Sequence, residues 1–457
     1  MNRLLCRQIN KGRQFIRLFL FVFGFFVFNI IVFNAVSLST NQIEKSFIDD
    51  FHDISKVDKY EGLTIDTDLG AVRLTGGSYN GRPYATIPQI LESVSFDSGT
   101  ENPTWNSIDW EEKLEGKTSL YVQVNLSSDG KNWDGWLRKG MVSFTFDDGY
   151  SSTYLDAFPI LRKYGFPGVI YVINTSIYIA EAGNKGYVTL SMLHTLENAG
   201  WEIGGHSKSH KMLTTLSDEE LRDEIAESYL YLKDNGFSVK GMAYPYGIYD
   251  QRVIDVASDY FEYARGFIGL DTSTFDYPVY GKYALSWVSS YESVSDLKAL
   301  VDFAESHHKW VIFTFHQIDL NDSKLESLVQ YVKSKNVDVV TVTDGMSRMN
   351  SKGNLPEVTP ANNRYAKYRA IFCSDDGKNT PILSKINLNA RINAKGNSIY
   401  DVNGDGQVDK EDLEIVIQHF GEIITTPSEK MPDVNGDGIV NILDIVLVIK
   451  NLNGIQP

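Results

Sequence analysis

The spacing of hydrophobic and polar positions changes character along this chain. A basic start, with Arg3, Arg7, Lys11, Arg13 and Arg17, leads into an almost wholly apolar run over residues 18–36. The apolar residues there lie all round rather than along one stripe, which argues against a buried amphipathic helix. From about residue 60 to 136, short alternating runs at Ala71–Leu74, 90–96 and 120–126 are separated by Gly, Asn and Asp turn signals. This pattern predicts an all-β sandwich. Residues 352–393 read the same way: a strand over 365–372 runs into Asp375-Asp376-Gly377, much as 121–124 runs into Ser128-Asp129-Gly130. We therefore expect 60–136 and 352–393 to be two halves of one accessory sandwich with a domain inserted between them. The alternative is a small β-domain or linker on each side.

Between these flanks, over residues 138–349, strand and helix patterns alternate. Strands are predicted at 141–146, 168–173, 201–204, 240–244, 310–315 and 337–342. Helices are predicted at 154–164, 189–199, 250–259, 293–306 and 323–335. A further helix opens at Ser217-Asp218-Glu219-Glu220, a Ser cap followed by acids, and stops at Asn235-Gly236. Repeated β-α units predict a parallel sheet, open or closed into a barrel, with its chemistry at the C-terminal ends of the strands. The tail, 399–454, carries two apolar helices, 413–420 and 443–452, each behind a loop rich in Asp, Asn and Gly.

Composition narrows the functional classes. A chain of 457 residues holds more than one domain. Its net charge of -16 argues against nucleic acid as a partner, because phosphates need a basic face. Two cysteines, Cys6 and Cys373, make no disulfide framework. The basic-then-apolar order over residues 1–37 reads as an export signal, with small residues at Ala35-Val36-Ser37 for cleavage, or as a membrane anchor. Either reading places the rest of the chain outside the cell or at its surface. Trp105, Trp110, Trp133 and Trp136 crowd the first sandwich half. Such rings can stack on sugars, but in a small sandwich they more often fill the core.

Polar signatures fall at the predicted strand ends. The 141–146 strand runs into Asp147-Asp148-Gly149. Two adjacent carboxylates repel each other and resist burial, so a cation or a reaction must stabilise them, unless they merely form a surface turn. Their partners follow. His206 and His210, in Gly205-His206-Ser207-Lys208-Ser209-His210, can point both imidazoles at one place from a helical turn or a tight loop. Two His and one Asp form a catalytic zinc set with an open position for water. Tyr244-Pro245-Tyr246-Gly247 follows another strand, and the 310–315 strand ends in His316, which suits a general acid or base.

These ordered motifs resemble the NodB-type polysaccharide deacetylases, carbohydrate esterase family four, over roughly residues 138–349. The resemblance implies a distorted (β/α) barrel and a divalent metal, usually Zn2+. It makes Asp147 the catalytic base, Asp148, His206 and His210 the metal ligands, and His316 the general acid. Pro245 and Tyr246 lie on the oxyanion and substrate side, the Tyr246 N–H holding the oxyanion. The implied reaction is metal-dependent removal of acetyl groups from an N-acetylated polysaccharide. One position departs from the pattern: the Arg that usually opens the third motif is Ala243 here. Arg265 can supply a guanidinium from another strand, and Trp287 either fills a hydrophobic role of the fourth motif or is core.

The tail repeats one loop. Asp401, Asn403, Asp405, Gln407, Asp409 and Asp412 recur as Asp433, Asn435, Asp437, Ile439, Asn441 and Asp444. Oxygen ligands at alternate positions, a backbone carbonyl at the seventh and Gly at the sixth fit Ca2+. The duplicated loop and helix resembles a type I dockerin. That implies a cohesin-bearing scaffold as partner, met through Lys410, Glu411, Ile442 and Leu443; the plainer reading is a calcium-stapled module that protects the terminus. The expected architecture is thus a distorted α/β barrel, an all-β sandwich and a small α dockerin-like domain. Two other functions stay open: an acetylxylan esterase, and a non-catalytic glycan-binding protein that keeps the fold.

Overall fold

Gly140–Phe146 (β1) is buried along its whole length, on both faces. Strands of that kind sit at the centre of parallel sheets. In the computed structural model β1 is flanked by Trp310–Phe315 (β7) on one edge, and by Val169–Val172 (β2) and Val337–Val339 (β8) on the other. Glu202–Gly205 (β3), Gly241–Ala243 (β4), Tyr263–Arg265 (β5) and Val288–Ser289 (β6) complete a parallel sheet of order β5-β4-β3-β2-β1-β7-β6. Leu285 bridges to Arg265, which turns the segment before β6 back beside β5 and curls the sheet into a distorted barrel.

The structure describes residues 42–76, 87–100, 103–137, 139–266, 274–277, 281–319, 323–350, 352–355, 363–393, 400–403, 408–424, 432–435 and 438–452. The segment 1–37, expected as signal or anchor, lies outside them, as do Asp405, Gln407 and Asp437. Among the described residues no helix is long and apolar enough to cross a membrane.

Strand parity sorts the barrel residues. Val142, Phe144 and Phe146 of β1 face the helical layer with Val311, Phe313 and Phe315 of β7. Met141, Tyr171, Tyr263, Trp310 and Ile312 fill the interior. Side chains alternate along a strand, so the interior face of β1 ends at Asp147 and that of β7 at His316. Ser143 and Thr145, on the same face, are fully buried and hydrogen-bonded, to the Val340 carbonyl and to Phe313 and Thr314 respectively.

Several expected spans shift. The helix Asp218–Asp234 starts where predicted, with a reciprocal Ser217–Glu220 capping box. The expected strand 337–342 stops at Val339, because Thr341 caps the helix Val342–Arg348. The helix expected over 154–164 opens with a π turn, Thr153–Ala157, ahead of Phe158–Lys163. The short strands β5 and β6, the helix Asn174–Glu181 and the strand Gln42–Asp49 were not evident in the hydrophobic pattern. Each is short or lacks a clean period, and tertiary pairing decides such segments.

Two antiparallel sheets flank the barrel. In one, Tyr365–Ser374 lies between Gln89–Ser93 and Thr118–Ser127. In the other, Ile382–Asn393 pairs with Thr104–Lys113 and Ala71–Leu74. Strands before and after the barrel in sequence therefore hydrogen-bond to one another. Phe47 of the second sheet meets Phe96 of the first with ring centroids 5.3 Å apart, and Trp105 and Tyr368 pack beside them within their own sheets, which marks a shared core. Trp105 and Trp110 are buried, while Trp133 and Trp136 lie under Lys367 and Arg369. Tyr121, Ile371 and Cys373 of the first sheet join the barrel's interior cluster.

The C-terminal unit is a pair of short helices, Lys410–Gln418 and Ile442–Lys450, around Val402, Val416, Val434 and Val448. The two repeats are alike in detail. The Asp412 carboxylate accepts the N–H groups of Asn403 and Asp409, and that of Asp444 accepts those of Asn435 and Asn441.

Candidate metal and catalytic site

At the C-terminal end of β1 the backbone turns sharply. Asp147 directly follows the strand, its N–H still donating to the Phe315 carbonyl at 2.9 Å. Asp148 then takes φ 68° and Gly149 φ 73°. Left-handed backbone at Asp148 re-aims its carboxylate, so the neighbouring acids serve different partners. Ser207, His210 and Tyr246 share that conformation, with φ of 62°, 60° and 60°. Non-glycine residues held there cost about 1–3 kcal/mol each, and such strain gathers at functional sites.

Asp148, His206 and His210 converge. Asp148 Oδ1 lies 3.4 Å from His206 Nε2 and 3.5 Å from His210 Nε2. The three ligand atoms all fall within 4.8 Å of one another. Tetrahedral ligands at bond lengths of ~2.1 Å sit roughly 3.4 Å apart, so the set fits one divalent ion. The His206 ring is buried, and its Nδ1 lies 2.7 Å from the Ala243 carbonyl. A carbonyl only accepts, so Nδ1 carries the proton and Nε2 presents its lone pair. Burial and the neighbouring His206 lower the His210 pKa against the pull of the two aspartates, which favours the neutral, ligating imidazole. For Asp148, burial pushes upward, but the hydrogen bond and charge of His206, with His316 and His210, leave the carboxyl below its ordinary value.

The histidines sit in a loop, not a helical turn. Glu224, buried in the helix Asp218–Asp234, anchors it by accepting from the Ser209 N–H at 2.8 Å and from the Ser209 hydroxyl. The Ser207 hydroxyl accepts the His210 N–H at 2.8 Å. Buried Asn174 ties the other side, its Nδ2 donating to the Glu227 carbonyl. Sequence reasoning missed Glu224; its only signal is an acid on the apolar face of an amphipathic helix.

Asp147 is served by a different cation. Arg265 Nη2 donates to Asp147 Oδ1, and both side chains are buried. Arg265 is the register partner of Ala243 on the adjacent parallel strand, so the guanidinium missing at 243 enters from one strand over. Its Cζ lies 4.9 Å from the Tyr171 ring and 5.3 Å from the Trp287 ring. Trp287 is thus neither plain core nor a remote residue: it forms one wall of the arginine slot.

His316 follows β7 on the interior-facing parity, close enough to bias the charges of Asp148 and His210. Its ring lies nearly parallel to that of Tyr291, at 6.2 Å. Pro245 is buried, whereas Tyr246 projects its ring outward against His210 at 4.6 Å. The structure therefore brings Asp147, Asp148, His206, His210, Tyr246 and Arg265 to one mouth of the barrel, with His316 beside it.

The family described as polysaccharide deacetylase matches residues 135–261, and the dockerin type I domain family matches residues 399–453. The barrel is a polysaccharide deacetylase domain of the NodB type, carbohydrate esterase family four. The deacetylase match ends before Arg265 and His316. Over 118 residues the chain is 34% identical to YxkH of Bacillus subtilis, provisionally named a polysaccharide deacetylase; this covers 25% of the chain and 40% of that protein. It is 30% identical over 124 residues to a poly-beta-1,6-N-acetyl-D-glucosamine N-deacetylase of Staphylococcus aureus, covering 25% of the chain and 43% of that protein. A bifunctional xylanase/deacetylase of Pseudobutyrivibrio xylanivorans is 22% identical over 235 residues, covering 50% of the chain and 35% of that protein. The matches thus span less than half the length of these three relatives. The deacetylase domain carries the Asp-His-His set of a metal-dependent hydrolase, and a separate dockerin-type domain follows it.

Proposed function

We propose that the deacetylase domain hydrolyses acetamido groups on an N-acetylglucosamine-type polysaccharide outside the cell, releasing acetate. The observation that supports this most is the division of labour between adjacent acids: Asp148 on two histidines, Asp147 on a buried arginine. Asp148, His206 and His210 would hold a divalent ion, which we take to be Zn2+, and such an ion would supply Lewis-acid polarisation of the amide carbonyl and a lowered pKa for water. Asp147, held by Arg265, accepts the proton of the attacking water. The Tyr246 N–H donates to the developing oxyanion, with Pro245 shaping the turn that presents it. His316 hands a proton to the leaving amine, so one water is consumed and an amine and acetate are formed.

The supporting names are those of the relatives, and they diverge. One acts on a poly-N-acetylglucosamine, another pairs deacetylation with a xylanase. Acetylxylan is therefore the second reading, with an oxygen leaving group that needs less help from His316. The dockerin-type domain favours Ca2+ in its repeated loops and a cohesin-bearing partner. Ile442 and Leu443 are exposed on its second helix, at 59% and 57%, where such a partner would dock.

The test is acetate release by metal-loaded protein from N-acetylglucosamine oligomers and, in parallel, from acetylxylan, with Asp147→Asn as control. Release from the oligomers alone supports the proposal. Release from acetylxylan alone replaces it with the esterase. No release from either, with metal bound and fold intact, supports a non-catalytic glycan-binding role.

A further inference from the structure

Beneath the arginine slot a chain of buried polar groups runs down the barrel to its opposite end. Glu202 opens β3 at that end and is buried, yet its carboxylate has donors on both oxygens. Tyr263 Oη donates to Oε1 at 2.6 Å, Thr343 Oγ1 to Oε1 at 2.8 Å, and the Thr343 N–H to Oε2 at 2.9 Å. Tyr171 Oη lies 2.8 Å from Tyr263 Oη. Tyr263 has spent its only proton on Glu202, so Tyr171 must donate to Tyr263. The direction of every hydrogen bond is thereby set by the carboxylate. The face of Tyr171 then carries the Arg265 guanidinium at 4.9 Å, and Arg265 carries Asp147.

Two further observations show that this line is built rather than incidental. Gly204 pairs in register with Tyr171, and Gly241 with Tyr263. A Cβ at Gly204 would meet the Tyr171 ring at 2.5 Å, and one at Gly241 would collide with the Tyr263 ring. The glycines leave the room that the two rings occupy. In addition, Arg265 Nε is buried and has no hydrogen-bond partner among the described residues. The guanidinium is therefore oriented by Asp147 together with the ring faces of Tyr171 and Trp287.

We propose that Glu202, acting through Tyr263 and Tyr171, is the positioning group for Arg265 and so for Asp147. A phenol that donates a hydrogen bond has a more electron-rich ring, and a richer ring holds a desolvated guanidinium more tightly. Glu202 thus sets the arginine from the far end of the barrel without touching substrate. This inference rests on the reading of Asp147 as the base.

The experiment compares Tyr171→Phe, Glu202→Gln, Arg265→Lys, Asp147→Asn and the Tyr171→Phe/Arg265→Lys double variant. Each is assayed for kcat, KM, bound metal and thermal midpoint in the full chain. Tyr171→Phe keeps the ring and removes only the hydroxyl, so it stays folded where Glu202→Gln fails to. We expect it to lower kcat roughly 3- to 10-fold, the scale of a weakened cation–π contact, with KM and metal content unchanged. In the Arg265→Lys background the same change has no further effect. An unchanged kcat for Tyr171→Phe beside an inactive Asp147→Asn, or losses that multiply in the double variant, overturns this inference and leaves the base assignment standing. An Asp147→Asn protein that turns over normally overturns both.

Discussion

Ala243 and Arg265 are register partners on adjacent strands, and the Arg265 guanidinium reaches Asp147 across the gap that Ala243 leaves. The pair is buried and made of opposite charges, so removing one member strands the other. Breaking such a pair costs about 3–5 kcal/mol, which predicts a clear fall in thermal midpoint for Arg265→Ala. Arg265→Lys keeps the charge but loses the planar fork. We expect it to retain metal and most stability while kcat drops roughly 10- to 100-fold, a part of the 10²–10⁴ that a positioned base supplies. Acetate release and metal analysis on one preparation check both.

Metal loading depends on a backbone carbonyl as well as on three side chains. With Nδ1–H held by the Ala243 carbonyl, His206 presents Nε2 to the ion. His206→Ala and Asp148→Ala should each lose the ion and the activity, with the barrel still folded. Glu224→Gln weakens the loop that carries His210 and should lower metal affinity by about 10-fold, the lower end of the effect of outer-shell partners. Titration with a metal-binding dye separates these outcomes.

Asp375 gives the stability a pH slope of its own. Burial raises its carboxyl to about 6, against the attraction of Lys282 and Lys117, and its Oδ2 has no hydrogen-bond partner among the described residues. Between about pH 4 and 6 the folded chain keeps this proton while the unfolded chain has lost it. Stability therefore falls as pH rises through that window and levels off above it, by about 3 kcal/mol at most from this group. Asp375→Asn should flatten the slope and raise the thermal midpoint at pH 7.5.

Asp276 joins the barrel to the flanking sheets. Its carboxylate lies 3.0 Å from Arg369 and 2.7 Å from Lys309, and its carbonyl accepts from Gln123 Nε2 at 2.7 Å. Asp276→Ala leaves Arg369 buried without its counter-charge and should cost about 3–5 kcal/mol. Chemical denaturation that stays a single transition with a lowered midpoint would show that sheets and barrel unfold together.

The C-terminal helices should respond to calcium alone. Asp412 and Asp444 are completely buried and hold their loops through backbone N–H groups. A calcium chelator should unfold this unit and leave the barrel transition in place, because small metal sites fold with their ion. Amide exchange over residues 400–452 would report it.

What this chain states locally, its sequence alone determined. The strand before Asp147-Asp148-Gly149, the His206/His210 pair, the Ser217 cap and the twin loops of the tail are all short-range patterns. Their physics lies within a few residues: alternation, capping, ligand spacing. The structure decided what depends on distant pairing. Three-residue strands such as Tyr263–Arg265 have no period to read, so only the register with Ala243 brings Arg265 to Asp147. Glu224 resembles an ordinary helix acid until the His loop folds over it. Gly204 and Gly241 look like flexible points until the rings of Tyr171 and Tyr263 occupy the space beside them. Interior barrel contacts join residues far apart in the chain, and close packing, rather than any local preference, selects them.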